Sequence, residues 1–358
     1  MSLAEWLSDR LLLAGRDALR GVGGGMVQAD PLSIFVSTTP FGAHDPEPVA
    51  WLASTGWNVR VNNTGRKLSP SEVADMARDC DGIIAGTEDL NPLLDANHRL
   101  KVISRVGVGL DSVPLQRCRA RNIAVSYTPS AVTAAVAEFT IGMMLSICRQ
   151  IASVDRGLRA GRWRRAQGSR IGASRVGIVG FGRIGSAVGR LLVGFDPAEV
   201  LVRDILDKRA EIAELAACGL RLREAGFEEI MTECDIVTLH VPLKPSTRGM
   251  IGPRELRLMR RDAFLINAAR GGIIDETALL DVLRVGHLGG AALDVFEGEP
   301  YVGPLRELDN VLLTAHMGSC SLDCRAQMER DATADMIRYF EKRPLENPVP
   351  DDEYDNQT

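Results

Sequence analysis

Long hydrophobic runs, an excess of basic charge and closely spaced cysteine pairs are all missing from this sequence. No apolar run in the 358 residues approaches the roughly 20 needed to cross a bilayer, so we expect no membrane-spanning segment. The formal net charge of −5 offers no basic field for nucleic acid. The seven cysteines are scattered and form no CxxC pair, which favours reduced thiols, a cytoplasmic location and no metal site.

What the chain does have is length and an ordinary globular composition. Hydrophobic residues make up 45% and charged residues 25% of the sequence. A chain of 358 residues is long enough to bury two separate cores, so we expect two domains.

The strongest local signal is a glycine turn between an apolar strand and a helix. The run 176–179 leads directly into Gly180-x-Gly182-x-x-Gly185. Gly180 permits a tight turn, Gly182 lets the backbone approach a pyrophosphate, and Gly185 lets the helix pack closely on the strand. The N–H groups at the start of the helix are then available to the phosphates. The pattern predicts a dinucleotide site.

An acid at the end of the next apolar run indicates which dinucleotide binds. Asp204 follows Val200-Leu201-Val202 and lies about 20 residues beyond the glycines, where a carboxylate holds the ribose hydroxyls. A carboxylate repels a 2′-phosphate, so NAD is expected rather than NADP. The nearby cations Arg203, Lys208 and Arg209 weaken that preference.

Apolar strands alternate with helical patterns on both sides of the glycine turn. Such alternation is typical of βαβ units and parallel sheets. We therefore expect an α/β protein of two Rossmann-like or flavodoxin-like domains with parallel sheets and a cleft between them. The predicted divisions are an N-terminal extension (1–30, a helix and a glycine linker), a substrate domain (31–129 and 319–348), an NAD-binding domain (130–318), and an acidic, frayed tail (349–358).

Several further segments share their order and spacing with one family. They are 105–111, 137–140, 239–243, 267–272, 294–300 and 314–319, together with the glycine motif. With them the chain resembles the D-2-hydroxyacid dehydrogenases, most closely the phosphoglycerate-dehydrogenase-like branch, over roughly Leu32 to Pro348. The resemblance implies an NAD-dependent enzyme that moves hydride to or from C2 of a 2-hydroxy or 2-keto acid. It also implies a homodimer, and no C-terminal regulatory domain is expected.

The resemblance assigns the catalytic roles to Arg270, Glu299 and His316. The planar guanidinium of an arginine suits the carboxylate of a 2-keto acid. A histidine titrates near neutral pH and can carry the hydroxyl proton as hydride leaves C2. A neighbouring carboxylate favours the imidazolium and fixes its orientation. The three residue types therefore match the reaction that the family performs.

Other residues are assigned by position in the family motifs. Asp294 has two open interpretations, tuning of His316 or a structural role at a strand end, and His240 is read as positioning rather than as the proton carrier. The expected cofactor-binding residues are Gly180, Gly182, Arg183, Ile184, Gly185, Asp204, His240, Val241, Pro242, Thr247, Ala268, Ala269, Asp294, His316 and Gly318. The expected substrate-binding residues are Arg105, Val106, Gly107, Arg270 and His316.

The substrate and two alternative functions stay open. Glu88 stands where an acid would repel a phosphate, so 3-phosphoglycerate is one candidate substrate among several. A formate-dehydrogenase-like enzyme would need an Asn in the substrate loop and a Gln before the catalytic histidine, where this chain has Arg105-Val106-Gly107 and Glu299. A NAD-sensing protein akin to transcriptional corepressors would share the fold but act by binding a partner.

Overall fold

The structure is a computed structural model that describes residues 31–357. The predicted helix and glycine linker of residues 1–30 lie outside the described residues. The chain divides into two compact units. The first comprises residues 31–128 and Ala326–Gln357, and the second comprises Pro129–Arg325.

Twelve strands and thirteen helices follow one another along the described residues. The strands are β1 (Ser33–Val36), β2 (Asn58–Val61), β3 (Gly82–Ala85), β4 (Val102–Arg105), β5 (Ala124–Ser126), β6 (Arg175–Val179), β7 (Glu199–Arg203), β8 (Leu222–Glu224), β9 (Ile236–Leu239), β10 (Phe264–Asn267), β11 (Gly290–Leu293) and β12 (Val311–Leu313). The helices are α1 (Glu47–Ser54), α2 (Pro70–Met76), α3 (Asn91–Ala96), α4 (Leu115–Ala120), α5 (Val132–Cys148), α6 (Ile151–Arg159), α7 (Arg183–Leu192), α8 (Arg209–Ala217), α9 (Phe227–Glu233), α10 (Pro253–Leu258), α11 (Glu276–Arg284), α12 (Leu322–Phe340) and α13 (Asp351–Asn356).

The first unit is built on a five-stranded parallel sheet in the order β2-β1-β3-β4-β5. Strands β1, β3 and β4 are central and every residue in them is buried, as their short apolar runs predict. Helix α2 begins as expected: Ser69 is the N-cap, Pro70 takes the first helical position, and Glu72 completes a capping box. Local sequence therefore determines where this helix begins.

The second unit is built on a seven-stranded parallel sheet in the order β12-β11-β10-β9-β6-β7-β8. The order reverses at β6, which pairs with β7 on one side and with β9 on the other. In an open parallel sheet, ligands bind beyond the carboxyl ends of the strands at such a reversal. The glycine turn follows β6 directly, so it lies at this point. The two parallel sheets confirm the predicted α/β fold class.

Helix α5 is apolar and nine of its residues are buried in the second unit. No single helix in residues 31–357 is long and apolar enough to cross a membrane. Only α5 and α6 taken together have that length and apolar composition among these residues, and the pair is bent by 61° at the break between the two helices.

The acidic C-terminal segment departs from the expected frayed tail. It forms helix α13, and Arg119 pairs with both Asp351 and Asp355 of that helix. The side chain of Gln357 donates to the carbonyls of Leu110 and Val113. The high density of acidic residues in this segment predicts a frayed tail. Its ion pairs and hydrogen bonds to the first unit instead hold it as a helix.

Candidate active site

The glycine turn brings two strand ends into close contact. Gly180 has a φ of +91°, and a Cβ atom placed there would lie 2.4 Å from the carbonyl oxygen of His240, which follows β9. A Cβ at Gly185 would lie 2.0 Å from the carbonyl oxygen of Gly180. Any larger residue at either position would separate the helix from the strand or the two loops from each other. Both positions therefore need glycine for packing.

Gly182 faces different surroundings. A Cβ there would meet no protein atom within 4 Å, and Gly182 is the N-cap of α7 without a side-chain hydrogen bond to the helix. The next residues, Arg183 and Ile184, are exposed and half-buried. An open approach to the uncapped N–H groups of a helix suits a diphosphate, so this end of α7 fits the pyrophosphate of NAD.

Asp204 lies against the same turn. Its two carboxylate oxygens accept from the N–H of Phe181, at 2.7 Å between N and O, and from the N–H of Leu206, at 2.9 Å. The three cations that weakened the NAD preference already pair with acids. Arg203 pairs with Glu224, Lys208 with Glu211, and Arg209 with Asp207. Asp204 therefore places a negative charge beside the turn, which suits the ribose hydroxyls of NAD and repels a 2′-phosphate.

The loop after β9 supplies the predicted cofactor residues His240, Val241, Pro242 and Thr247. Burial lowers the pKa of His240 to about 4, and a ring nitrogen lies 3.0 Å from the Thr238 hydroxyl. His240 is therefore neutral at physiological pH, which agrees with positioning rather than proton transfer. Thr247 closes the loop by donating from its hydroxyl to the carbonyl of Pro242.

The loop after β10 presents Arg270. The buried side chain of Asn267 accepts from the N–H of Ala269 and donates to the carbonyl of Arg270, which folds residues 268–270 into a tight turn. The guanidinium of Arg270 is half-buried and donates to the carbonyl of Ala269 at 2.6 Å. Gly271 then touches the next loop, because a Cβ there would lie 1.9 Å from the carbonyl oxygen of Phe296. Close packing thus sets the loops after β10 and β11 side by side.

His316 and Glu299 form a hydrogen-bonded pair. Nδ1 of His316 lies 2.9 Å from Oε2 of Glu299, and the two side chains are 42% and 37% exposed. The other carboxylate oxygen of Glu299 accepts from the N–H of Phe296. Because Nδ1 faces the carboxylate, the ring is held in a fixed orientation with Nε2 on its far side. This is the geometry of an oriented acid–base histidine.

Asp294 holds the loop that carries His316. Its buried carboxylate accepts from the N–H groups of Met317 and Gly318 and from the hydroxyl of Thr314, and its carbonyl accepts from the N–H of His316. Three donors to one carboxylate fix residues 314–318 in place. They hold the backbone of His316 in a left-handed conformation, with a φ of +51°. Of the two interpretations left open for Asp294, these contacts support the structural one.

Sequence reasoning missed two residues that shape this site. They are Asn267, which the family motif gives no role, and Glu276, which lies outside every motif segment. The carboxylate of Glu276 accepts from the N–H of Glu297 at 2.7 Å, and burial together with Glu297 and Glu299 raises the pKa of Glu276. Glu276 therefore restrains the segment that bears Glu299. The Asp275-Glu276 start of α11, with Asp275 as the N-cap, was the only local signal.

The predicted substrate loop of the first unit departs in part from expectation. The N–H of Val106 donates to the carbonyl of Ala85, and the N–H of Gly107 donates to the hydroxyl of Thr128. These two N–H groups were expected to bind an anion, but both are satisfied within the protein. Arg105 is buried and donates to the carbonyls of Gly109 and Val106. The N–H groups of Val106 and Gly107 are therefore not the anion contacts that the sequence predicted.

Comparisons with known proteins agree with this arrangement. The family model described as "D-isomer specific 2-hydroxyacid dehydrogenase, NAD binding domain" matches residues 141–318. A glyoxylate reductase of Thermofilum pendens is 36% identical over 253 residues, which cover 68% of this chain and 73% of that protein. A D-3-phosphoglycerate dehydrogenase of Methanocaldococcus jannaschii is 36% identical over 264 residues, which cover 70% of this chain and 48% of that protein.

A solved structure has the same fold. The crystal structure of a protein from Thermus thermophilus gives a TM-score of 0.80 at 32% identity, and the match covers 89% of this chain and 100% of that one. The match to the Thermofilum pendens protein covers 68% of this chain, and the family model covers residues 141–318, which include the loops after β6, β9, β10 and β11. The chain therefore belongs to the D-isomer specific 2-hydroxyacid dehydrogenase family and is an NAD-dependent oxidoreductase of hydroxy and keto acids.

Proposed function

We propose that this chain reduces a small 2-keto acid, and oxidises the corresponding D-2-hydroxy acid, with His316, Glu299 and Arg270 as its catalytic residues. The observation that carries the proposal is the 2.9 Å contact between His316 Nδ1 and Glu299 Oε2. His316 and the glycine turn follow strands that end at the same edge of the seven-stranded sheet. A histidine paired with a carboxylate at this edge can therefore transfer a proton next to a dinucleotide site.

His316 moves the proton. In reduction, its Nε2 donates a proton to the substrate oxygen as C2 becomes tetrahedral, and in oxidation it takes that proton back. Glu299 stabilises the protonated ring and keeps Nδ1 engaged, so that Nε2 serves the substrate. The restraint of Glu276 on the neighbouring backbone keeps Glu299 within reach of the ring.

Arg270 binds and polarises the substrate. A guanidinium remains charged at every pH of interest and offers a flat fork of donors to a carboxylate and an adjacent carbonyl oxygen. Negative charge develops on that oxygen during reduction, so this contact strengthens towards the transition state. Arg105 is proposed as a further contact to the substrate carboxylate.

The cofactor is held by the glycine turn, with its pyrophosphate at the start of α7 and its ribose hydroxyls at Asp204. NADH would supply the hydride in reduction, and NAD+ would accept it in oxidation. Gly180 and Gly185 keep the turn closed, and the loop from His240 to Pro242 lines it. These residues bind and orient the cofactor, while the proton is handled by His316.

Asp204 offers a direct test of cofactor choice. We expect Asp204→Ala to lower the ratio of kcat/KM with NADH to kcat/KM with NADPH by about 10–100-fold, because a charged hydrogen bond of roughly 1.5–3 kcal/mol and the repulsion of a 2′-phosphate are both lost. The ratio cancels any general loss of activity. An unchanged ratio would contradict the ribose assignment.

The proposed substrates are small 2-keto acids. A phosphorylated 2-keto acid, such as the keto form of 3-phosphoglycerate, is the alternative. One relative is named a glyoxylate reductase and another a D-3-phosphoglycerate dehydrogenase. The test is a panel of glyoxylate, pyruvate, hydroxypyruvate and 3-phosphohydroxypyruvate with NADH, followed by the fall in NADH absorbance. Oxidation with at least one of them supports the proposal. If none is reduced, the binding role of a NAD-sensing corepressor-like protein is favoured instead.

A homodimer in the cytoplasm completes the proposal. Ile151, Leu158 and Trp163 are 54%, 52% and 83% exposed within one short stretch of the second unit, which supports an interface there. All seven cysteines are free, which fits a reducing compartment.

The dimer can be tested by placing a charge on this stretch. Leu158→Asp should shift the mass measured by light scattering from dimer towards monomer, because it buries a charge in an apolar interface. Val285→Asp is the matched control, since Val285 is an exposed valine outside the stretch. A monomeric wild-type protein would contradict the proposal.

A further inference from the structure

Two carboxylates bind the same short turn of the second unit. This turn follows β11 and carries Glu299, which is hydrogen-bonded to His316. Glu299 accepts from the N–H of Phe296 at 3.2 Å, and Glu276 accepts from the next N–H along the chain, that of Glu297, at 2.7 Å. Consecutive N–H groups of one turn therefore hold two acids, of which Glu299 is the one that pairs with the histidine.

The packing around this turn keeps Glu276 beside it. Glu276 is the first residue of α11, and Asp275 before it caps the helix by accepting from the N–H of Ala278. From the loop after β10, Gly271 packs so closely that a Cβ there would lie 2.6 Å from the backbone nitrogen of Glu297. The start of α11 and the loop after β10 therefore both fix the turn.

Two acids on neighbouring N–H groups oppose each other's ionisation. Burial raises the pKa of Glu276 most, and the charges of Glu297 and Glu299 add to this effect. Such an interaction is mutual, so an ionised Glu276 makes it harder for Glu299 to lose its proton. Arg248 pairs with Glu297 at 3.4 Å and partly balances the charge of that residue. Glu276 is therefore a like charge that acts on Glu299.

Other charged and titratable groups lie on the turn and on the elements around it. They are Asp275 at the start of α11, Arg248 after β9, Arg270 after β10, Glu297 and Tyr301 after β11, and His316 after β12. All of them stay the same when only Glu276 is replaced. A difference among variants of Glu276 therefore reports the effect of that residue.

We propose that Glu276 is a positioning residue with two effects: it holds the turn that carries Glu299, and its charge sets the pH at which Glu299 takes up a proton. This inference rests on the proposed function. A protonated Glu299 no longer stabilises the imidazolium of His316, so reduction slows as the pH falls through the ionisation of Glu299. The charge of Glu276 places that pH higher. Without this charge, Glu299 stays ionised in more acidic solution.

Replacing Glu276 with glutamine separates the two effects, because an amide keeps an oxygen acceptor for the N–H of Glu297 but carries no charge. Glu276→Ala removes both the acceptor and the charge. In both variants, we expect the acid limb of the pH profile of kcat/KM to move down by about half a pH unit, as for a half-exposed pair of charges. Only Glu276→Ala should also lose kcat at neutral pH, by about fivefold, as for one lost hydrogen bond.

The same ionisation can be followed by NMR without substrate or cofactor. Nδ1 of His316 lies 2.9 Å from Oε2 of Glu299, so the ring-proton signal of His316 should show an inflection in acidic solution when Glu299 takes up a proton. The chain has five histidines, and the signal that is missing from His316→Ala identifies the ring of His316. The inflection should move down by about half a pH unit in both variants of Glu276.

Glu255→Gln is the matched control. Glu255 also accepts from a backbone N–H at the start of a helix, that of Gly252 at 3.1 Å, but it belongs to α10. Its replacement should leave both the NMR inflection and the acid limb where they are in the wild type.

The inference is overturned if Glu276→Gln titrates like the wild type and this control. It is also overturned if only Glu276→Ala shifts the inflection, because the effect would then come from packing rather than from charge. If Glu276→Ala does not fold, the inflection of Glu276→Gln decides. A wild type that reduces no keto acid overturns the proposed function, while the NMR inflection still decides whether Glu276 acts on Glu299.

Discussion

Replacing His316 with alanine should lower kcat by about 10²–10⁴-fold while the affinity for NADH stays close to that of the wild type. The substitution removes the group that gives a proton to the substrate oxygen. It leaves intact the glycine turn and Asp204, which are on other loops of the sheet. Initial rates with saturating keto acid give kcat, and quenching of protein fluorescence by NADH gives the affinity.

The matched control is His44→Ala. His44 is an exposed histidine in the loop after β1, with no role in the proposed mechanism, so its replacement should leave kcat unchanged. If His316→Ala retains the wild-type kcat, the proton carrier is a different residue. A loss of NADH affinity as large as the loss of kcat would mean that His316 acts mainly in binding.

Replacing Arg270 with lysine should lower kcat/KM by about 10²–10³-fold, with both a higher KM and a lower kcat. A lysine keeps the charge but offers a point donor instead of a planar fork, so it cannot engage the carboxylate and the carbonyl oxygen together. The split between the two parameters separates binding from transition-state stabilisation, because loss of uniform binding alone raises KM only.

Arg261→Lys serves as its control. Arg261 is exposed and precedes β10, whereas Arg270 follows β10, so the same substitution is made at the opposite end of one strand. Activity of Arg261→Lys should equal that of the wild type. An Arg270→Lys enzyme with unaltered kcat would show that the guanidinium fork is not needed in the transition state.

The main features of the second unit could be predicted because parallel sheets gather strand ends at one edge. The glycine turn, Arg270, Glu299 and His316 all follow apolar runs that read as strands. Short apolar runs between helical patterns are the strongest sequence signal in this fold class. Their assembly at one edge of the seven-stranded sheet then follows from the parallel arrangement alone.

Strands β5 and β8 carry a weaker sequence signal than the central strands. Strands β5 and β8 are three residues long and lie at sheet edges, and β8 has the mixed sequence Leu222-Arg223-Glu224. An edge strand is covered on fewer sides, so it needs no continuous apolar run. Pairing with β4 and β7 defines these strands, and such pairing leaves no local pattern.

The polar contacts of the site could not be predicted either. That the carboxylate of Asp294 accepts from three donors of the His316 loop, or that Glu276 accepts from Glu297, depends on how two loops pack in space. The low pKa of His240 likewise results from burial among residues distant in sequence. The position of Asp294 and His240 in the family motifs predicts that both belong to the site. Whether their roles are structural or chemical depends on how they pack, which the sequence does not show.

The most direct test of the central claim follows a deuterium label from the cofactor to the substrate. Hydroxypyruvate is reduced with NADH that carries deuterium at C4 of the nicotinamide on the transferred side, and the product is analysed by NMR and chiral chromatography. The account predicts one deuterium at C2 of a D-2-hydroxy acid. Product without the label at C2, or an L-hydroxy acid, would contradict it.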